Sequence, residues 1–522
     1  MILEVRAVAP FYKNGFVVGC ERTREGVLID PGDEVDQLLA AVFEADVQIQ
    51  RILLTHAHVD HSGLLPRLVA EGFRGTIWCT GATRDLLAVM LPDAARIHEQ
   101  DVARRNRRAD RADEPAIRPL FTLEDAEAVI DFAHPVELEE AVEVCPGAEA
   151  RFWNAGHILG SASVELTMAG VRTLFSGDLG PRHKSFQADP TGPAGVDHLI
   201  CESTYGDRDR EDVTIAERRG LLEREVRAAL DRGGNLVIPV FALERTQELL
   251  LDLAHLIEHG RLGRAPVFID SPLASRATQV FQRHAAELED MGGTEVFQHP
   301  SFHFTESVAE SIRLNDVKGA VILSASGMCE AGRIRHHLVH NLPNRQSTIL
   351  FVGFQASGTL GHAILSGAKR VRISGRDVAV RAEVRRIDSY SAHADRSELI
   401  EWITARQPVT GSLFLAHGED RAIHSLQQEL GRRFASVVAP EIGERYELSA
   451  GKPARRLRAG RADIAGVVGG DWQNAYGEFA ANLKQELQRI ESASQRAEAI
   501  ARMRSILDDY RHVRQAQARQ PA

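Results

Sequence analysis

The chain has 522 residues, too many for one small core and enough for two or three domains. Hydrophobic residues make up 44% and charged residues 26%, a soluble globular balance with no apolar run of the roughly 18 residues that a bilayer span needs. The net charge of −11 weighs against a protein that coats nucleic acid without sequence preference, although phosphate neutralisation needs local Lys and Arg and not a basic total.

The opening stretch MILEVRAVAPFYKNGF interrupts its apolar residues with Glu4, Arg6 and Lys13, unlike a secretory leader, so the expected location is the cytoplasm. The five cysteines, Cys20, Cys79, Cys145, Cys201 and Cys329, are far apart and odd in number. Neither a disulfide framework nor a thiolate zinc site is expected from them. GVLIDPG (26–32) reads as a strand ending at Asp30, and RILLTHAHVDHSGLL (51–65) as a strand, a His-rich loop and a helix. FRGTIWCTGATRDLLAVML repeats the strand-to-helix change. VRTLFSGDLG (171–180) reads as a strand ending at Asp178, and DHLICESTYGD (197–207) as one ending at Glu202. Acids and histidines thus gather just past strand ends, where α/β sheets place their sites.

From about residue 209 the rhythm is strand–turn–helix, four times over: NLVIPVF, APVFIDSPL, AVILSAS and STILFVGFQ each lead into a helical stretch. Such apolar strands predict a parallel sheet covered on both faces, a doubly wound domain over 209–376. It interrupts a first fold spanning 1–208, to which 377–450 returns through RAEVRRIDSYSAHAD and GSLFLAHGE. Beyond 450, KPARRLRAGR (452–461) reads as a basic linker, and ARRNRRADRA (103–112) as a second basic cluster; each is a solvated face or a nucleic-acid contact. Phe479, Leu483, Leu487 and Ile490, then Ile500, Met503, Leu507 and Tyr510, fall at helical spacing. A helical C-terminal extension over 451–522 is expected, packing on itself or on a second copy.

His56-Ala57-His58-Val59-Asp60-His61 is the most informative stretch. In a looping segment after a strand, His56 and His58 share a side and can grip one cation, while Asp60 and His61 turn to a second. Downstream, GHILGS offers His157, SGDLG offers Asp178, and FLAHGE offers His417. The carboxylate of Asp178 has two oxygens and can bridge. The predicted sets are His56, His58, His157 and Asp178 for one ion, and Asp60, His61, Asp178 and His417 for the other. All donors are N or O, which favours two zinc ions, with manganese as the alternative. Glu202 and His393, a His beside a carboxylate, have the makings of a general acid; taken alone each also reads as a capping or buried polar residue.

HAHVDHSG, GHILGSASVEL, FSGDLG, CESTYGD, SYSAHAD and LAHGE, in this order, resemble the β-CASP branch of the metallo-β-lactamase superfamily, a group of RNA- and DNA-processing nucleases. The likeness covers about residues 1–450, including ILSASGMCEAGR and VGFQASGTLG, and leaves out the tail. It implies an αββα sandwich with an inserted α/β domain that closes over the metal cleft. It implies that Asp30 supports the metal loop without ligating, and that Glu202, His393 and His417 belong to motifs particular to this branch. A His at 417, where DNA-processing relatives typically carry an apolar residue, implies single-stranded RNA as substrate. The implied chemistry is in-line attack by a hydroxide shared between the metals and oriented by Asp60. His393, held by Glu202, protonates the leaving 3′-oxygen, giving 5′-phosphate and 3′-hydroxyl ends by endonuclease or 5′→3′ exonuclease action.

The insert also offers Gly-rich strand–helix turns as phosphate cradles. They are Ser324-Ala325-Ser326-Gly327 and Ser357-Gly358-Thr359-Leu360-Gly361, with Arg333 and Arg245 as candidate backbone contacts. Relatives often carry Arg after the second loop's Gly, whereas this chain has His362. The competing readings are a small-molecule ester, thioester or lactone hydrolase on the same fold, and an inactive RNA-processing scaffold. Self-association through the insert or the tail is a further expectation.

Overall fold

The computed structural model describes residues 1–8, 13–20, 23–32, 42, 47–107, 116–210, 213–263, 265–289, 296–356, 358–441, 443–458 and 492. The helices expected over 479–510 lie outside the described residues, as does Ser357.

Two sheets face each other in the first domain. One has eight strands, in the order Lys452–Arg458, Arg445–Ser449, Ile2–Val8, Lys13–Gly19, Glu25–Ile29, Gln48–Leu53, Thr76–Thr80 and Ala133–Val136. The other has seven: Val437–Val438, Leu413–Ala416, His198–Glu202, Val171–Phe175, Ala162–Met168, Ala148–Asn154 and Ala141–Cys145. Alternation along the strands sorts their side chains between layers. Val27, Ile29 and Leu53 meet Phe152, Val164, Phe175, Ile200 and Phe414 between the sheets. Leu28, Ile52 and Leu54 turn outward onto the helix Gly81–Asn106. On the far side, Leu174, Leu199, Cys201, Leu413 and Leu415 pack on Leu399, Trp402, Ile403, Leu426 and Leu430 of the helices Arg396–Thr404 and Asp420–Leu430. This is the expected αββα sandwich.

The insert is a six-stranded parallel sheet in the order Phe302–Phe304, Val267–Ile269, Val321–Ser324, Leu236–Pro239, Thr348–Phe351 and Glu383–Arg386. Leu236 and Ile238 face the helices Ile215–Asp231, Arg245–Glu258 and Pro272–Arg283. Val237, Ile349 and Phe351 face Ile334, Leu338 and Ile364 on the other side. The sheet is therefore doubly wound. Its last strand lies beyond the predicted boundary at 376: Glu383–Arg386 pairs in parallel with Thr348–Phe351, so the chain leaves the insert's sheet only after Arg386.

A second correction concerns the basic stretch at 452. Lys452–Arg458 is an edge strand antiparallel to Arg445–Ser449 and not a linker. Two of its arginines have acids across the strand pair, Arg455 on Glu447 and Arg456 on Glu444 at 2.8 Å each. Those charges are already matched within the sheet. No helix among the described residues is long and apolar enough to cross a membrane.

Candidate metal centre

The interior strand Gln48–Leu53 ends in the core of the sandwich, and the chain then turns through Thr55–His61 past the strand's C-terminal end. Two close approaches shape the loops around this turn. A Cβ on Gly32 would lie 1.5 Å from the Asp60 carbonyl oxygen, and one on Gly180 would lie 1.7 Å from that of Gly156. Only glycine lets these loops pack backbone to backbone. Asp30 and His417 both adopt left-handed conformations at strand ends, φ 49° and 50°. Such strain in non-glycine residues persists where the surroundings hold it, often at functional sites.

The loops bring together side chains far apart in sequence. His56, His58, His157 and Asp178 form one cluster, Asp60, His61 and His417 a second, and Asp178, Glu202 and His393 a third. His56 Nε2 and His157 Nε2 each lie 3.1 Å from His58 Nδ1 and 3.6 Å from Asp178 Oδ2. On the other side of the same carboxylate, Oδ1 is 3.4 Å from His61 Nε2 and 3.3 Å from His417 Nδ1. His417 Nε2 is 3.7 Å from Asp60 Oδ2. Asp178 thus presents one oxygen to each nitrogen cluster.

The outward nitrogens are already tied. His56 Nδ1 is 3.0 Å from the Thr55 hydroxyl, and His61 Nδ1 is 2.9 Å from Asp30 Oδ2. His157 Nδ1 donates to the Ala392 carbonyl at 2.8 Å. Asp30 accepts from both the amide and the hydroxyl of Thr55, at 2.8 and 2.7 Å. Each of these three rings therefore has its inner nitrogen aimed at the cluster, the arrangement that fixes a metal-binding histidine.

Burial holds the His56 and His157 imidazoles well below their ordinary pKa and lowers His58 to about 4. For His61 and His417 burial works in the same direction, but Asp178 beside both, with Asp30 at His61 and Asp60 at His417, raises them. Burial would raise Asp178, yet His417 and His61 hold it well below the usual carboxylate range. His56, His58 and His157 thus favour the neutral, ligating form beside an ionised Asp178, whereas His61 and His417 would give up a proton on binding a cation. Asp178 Oδ1 and His61 Nε2 are buried and have no hydrogen-bond partner, an arrangement that is costly unless a cation completes it. The residues fit divalent metal ions.

Beside the cluster, Glu202 is fixed by the Leu179 amide at 2.6 Å and the Thr204 amide at 3.1 Å. Its Oε1 lies 3.2 Å from His393 Nδ1. The residues expected to support, ligate and transfer protons thus meet in one place.

Similarity to known proteins bears on this arrangement. A model of the metallo-β-lactamase superfamily matches residues 8–213, the β-CASP domain matches 246–364, and the Zn-dependent metallo-hydrolase RNA specificity domain matches 377–440. A protein named ribonuclease from Thermus thermophilus is 35% identical over 408 residues, 76% of this chain and 88% of that one. The chain belongs to the β-CASP family of metallo-β-lactamases. Proteins named transcription termination factor FttA are also similar. That of Methanosarcina mazei is 28% identical over 74% of this chain, and that of Methanothermobacter thermautotrophicus 28% over 78%. The matched region spans 61% and 65% of those two proteins.

In the β-CASP insert, the two turns expected to cradle phosphate have many of their polar groups engaged within the chain. After Ser324 the next helix starts at Ile334 and not at Gly327, and its first amide is spent on the Ala325 carbonyl at 3.2 Å. The Ser324 hydroxyl donates to the Asp270 carbonyl, and Ser326 Oγ sits 3.5 Å from the Ala331 amide. Gly327 gives its carbonyl to Gln355. Arg333 is bound to Asp270 at 2.7 Å and to the carbonyls of Thr305 and Glu306. In the second turn, Gly358 has φ 84° and Thr359 caps a helix of six residues. There the amides of Leu360, Gly361 and His362 already bond Glu330, Met328 and Thr359. An amide with an internal acceptor is no longer free for an anion. Arg245 differs: it is 8% exposed, 3.6 Å from Glu248, and its Nε and Nη1 have no hydrogen-bond partner.

Sequence reasoning missed Thr55, Lys184 and Glu244. Thr55 adjoins the His motif and could have been suspected; the other two carry no local pattern.

Proposed function

We propose that this β-CASP protein is a binuclear, zinc-dependent ribonuclease that cleaves single-stranded RNA to 5′-phosphate and 3′-hydroxyl ends, with manganese as the alternative metal. The observation that carries the reading is the position of Asp178, with one oxygen toward His56 and His157, the other toward His61 and His417, and the Glu202–His393 pair alongside. The relatives' names, ribonuclease above all, favour RNA over a small ester.

Bound divalent ions supply an acidified water and neutralise charge that grows on the phosphoryl oxygens. His56, His58, His157 and Asp178 would hold one ion, and Asp60, His61, Asp178 and His417 the other. Asp60, with a side chain 31% exposed, is placed to orient the attacking water. His393 has Nδ1 on Glu202, which leaves Nε2 to protonate the departing 3′-oxygen. Arg245, with donors unspent, is the candidate contact to the RNA backbone. A cytoplasmic location, and self-association through the insert or the C-terminal stretch, belong to the same proposal.

Metal analysis after gentle purification is expected to give two zinc ions per chain. A time course on end-labelled RNA carrying a 5′-phosphate or a 5′-triphosphate is expected to show cleavage: internal fragments mean endonuclease action, and mononucleotides from the start mean exonuclease action. Fewer than one ion per chain would favour a scaffold. Turnover of a chromogenic lactone or thioester without RNA cleavage would favour the small-molecule hydrolase.

A further inference from the structure

Glu244 lies in the insert, between the strand Leu236–Pro239 and the helix Arg245–Glu258. Its φ is 67°, a backbone conformation that residues with a long side chain seldom adopt. The side chain is 2% exposed, and both carboxylate oxygens are used. Oε1 accepts from Lys184 Nζ at 2.7 Å, and Oε2 accepts from the Leu159 amide at 3.2 Å. Lys184, also 2% exposed, follows Asp178 in the first domain and donates at 2.7 Å to the carbonyl of His157 itself. One buried ion pair spanning the two domains thus grips the His157 loop at two points. Buried ion pairs contribute little to stability, because desolvation offsets the attraction, and they are better attested as devices that specify one arrangement.

We infer that Glu244 is a positioning residue: together with Lys184 it makes the seating of the insert a condition for the placement of the His157 imidazole. This rests on the reading of His56, His58, His157 and Asp178 as a cation site. It assigns the insert a second task, setting a ligand's position from outside the cluster.

The test is zinc affinity, measured by competition with a chromophoric chelator. Glu244→Gly removes the carboxylate while suiting the left-handed backbone. It is expected to weaken one of the two ions about 10- to 100-fold and to lower kcat more than it raises KM. In the metal-free protein it should also speed amide hydrogen exchange at residues 157–160. Glu244→Gln, which keeps an acceptor, is expected to recover most of the affinity. Wild-type affinity and exchange in Glu244→Gly overturn the inference. Should that variant fail to fold, Lys184→Met decides. Burial already pushes the Glu244 carboxyl up, and loss of the lysine that opposes this pushes it further in the same direction. The same weakening is expected there, and its absence overturns the inference. If the unsubstituted protein binds no zinc, the nuclease reading fails instead, and exchange at 157–160 still reports on the clamp.

Discussion

His393 and Asp178 differ in what their loss removes. His393 touches the cluster through a 3.9 Å approach to Asp178 Oδ2 and is held by Glu202. His393→Ala is expected to lower RNA cleavage by about 100-fold or more while both ions stay bound, read by end-labelled RNA and metal analysis on the same sample. Full activity would remove it from the mechanism. Asp178→Asn takes a charge from both clusters and is expected to cost both ions, so the metal content separates the two variants. The ligands were legible because a loop after a strand confines HAHVDH to one small space, and because single His and Asp residues stood at other strand ends. Lys184 and Glu244 were not legible: a buried pair 60 positions apart leaves no periodic trace. Nor could the spacing show that the amides around Thr359 already have acceptors, which depends on Glu330 and Met328 folding back over them.

Strands and their tips set the next scale. Asp270, at the end of Val267–Ile269, is fully buried beneath the turn once expected to hold phosphate. Burial alone would raise its carboxyl, but hydrogen bonds from His337, Ser311, Thr305 and Arg333 hold it well below the usual range. A depressed carboxyl stabilises the fold above its unfolded value, near pH 4, and that contribution is lost as pH falls through the folded value. Asp270→Asn is therefore expected to cost about 3–5 kcal/mol at pH 7 by urea unfolding. The gap from the unsubstituted protein should narrow at pH 3; a gap independent of pH would show that the carboxylate charge plays no part. Continuous apolar runs made four of the six parallel strands readable; Phe302–Phe304, three residues with a histidine at the centre, and the last strand were missed. Glu383–Arg386 carries three charged residues in four, the pattern of a half-exposed edge strand, and so gave no sign of belonging to the insert's sheet.

For the molecule as a whole, the proposed cation ligands come from four separate segments, around His56–His61, His157, Asp178 and His417. Removing the cations with a chelator is expected to lower the melting temperature, by an amount set by mass action: about 2.7 kcal/mol per ion at a free concentration 100 times its Kd. Added zinc should restore it, and an unchanged transition in chelator would show that no ion stabilises the native state. The two-domain plan was legible because the apolar parallel strands begin and end as a block between metal motifs. The contact between domains was not. Arg276 on Asp93 and His284 on Asp85 join surfaces whose charges look solvated when read along the chain.

The strand Leu413–Ala416, which delivers His417, pairs with His198–Glu202 across the entire insert. During synthesis the first half of the sheet must therefore wait, its edge open, until the insert and the returning strand have been made. A nascent chain halted between residues 61 and 417 holds the HAHVDH loop but lacks His417 of the second cluster. The order of translation thus leaves completion of the Asp60, His61 and His417 cluster to a strand made only after the whole insert.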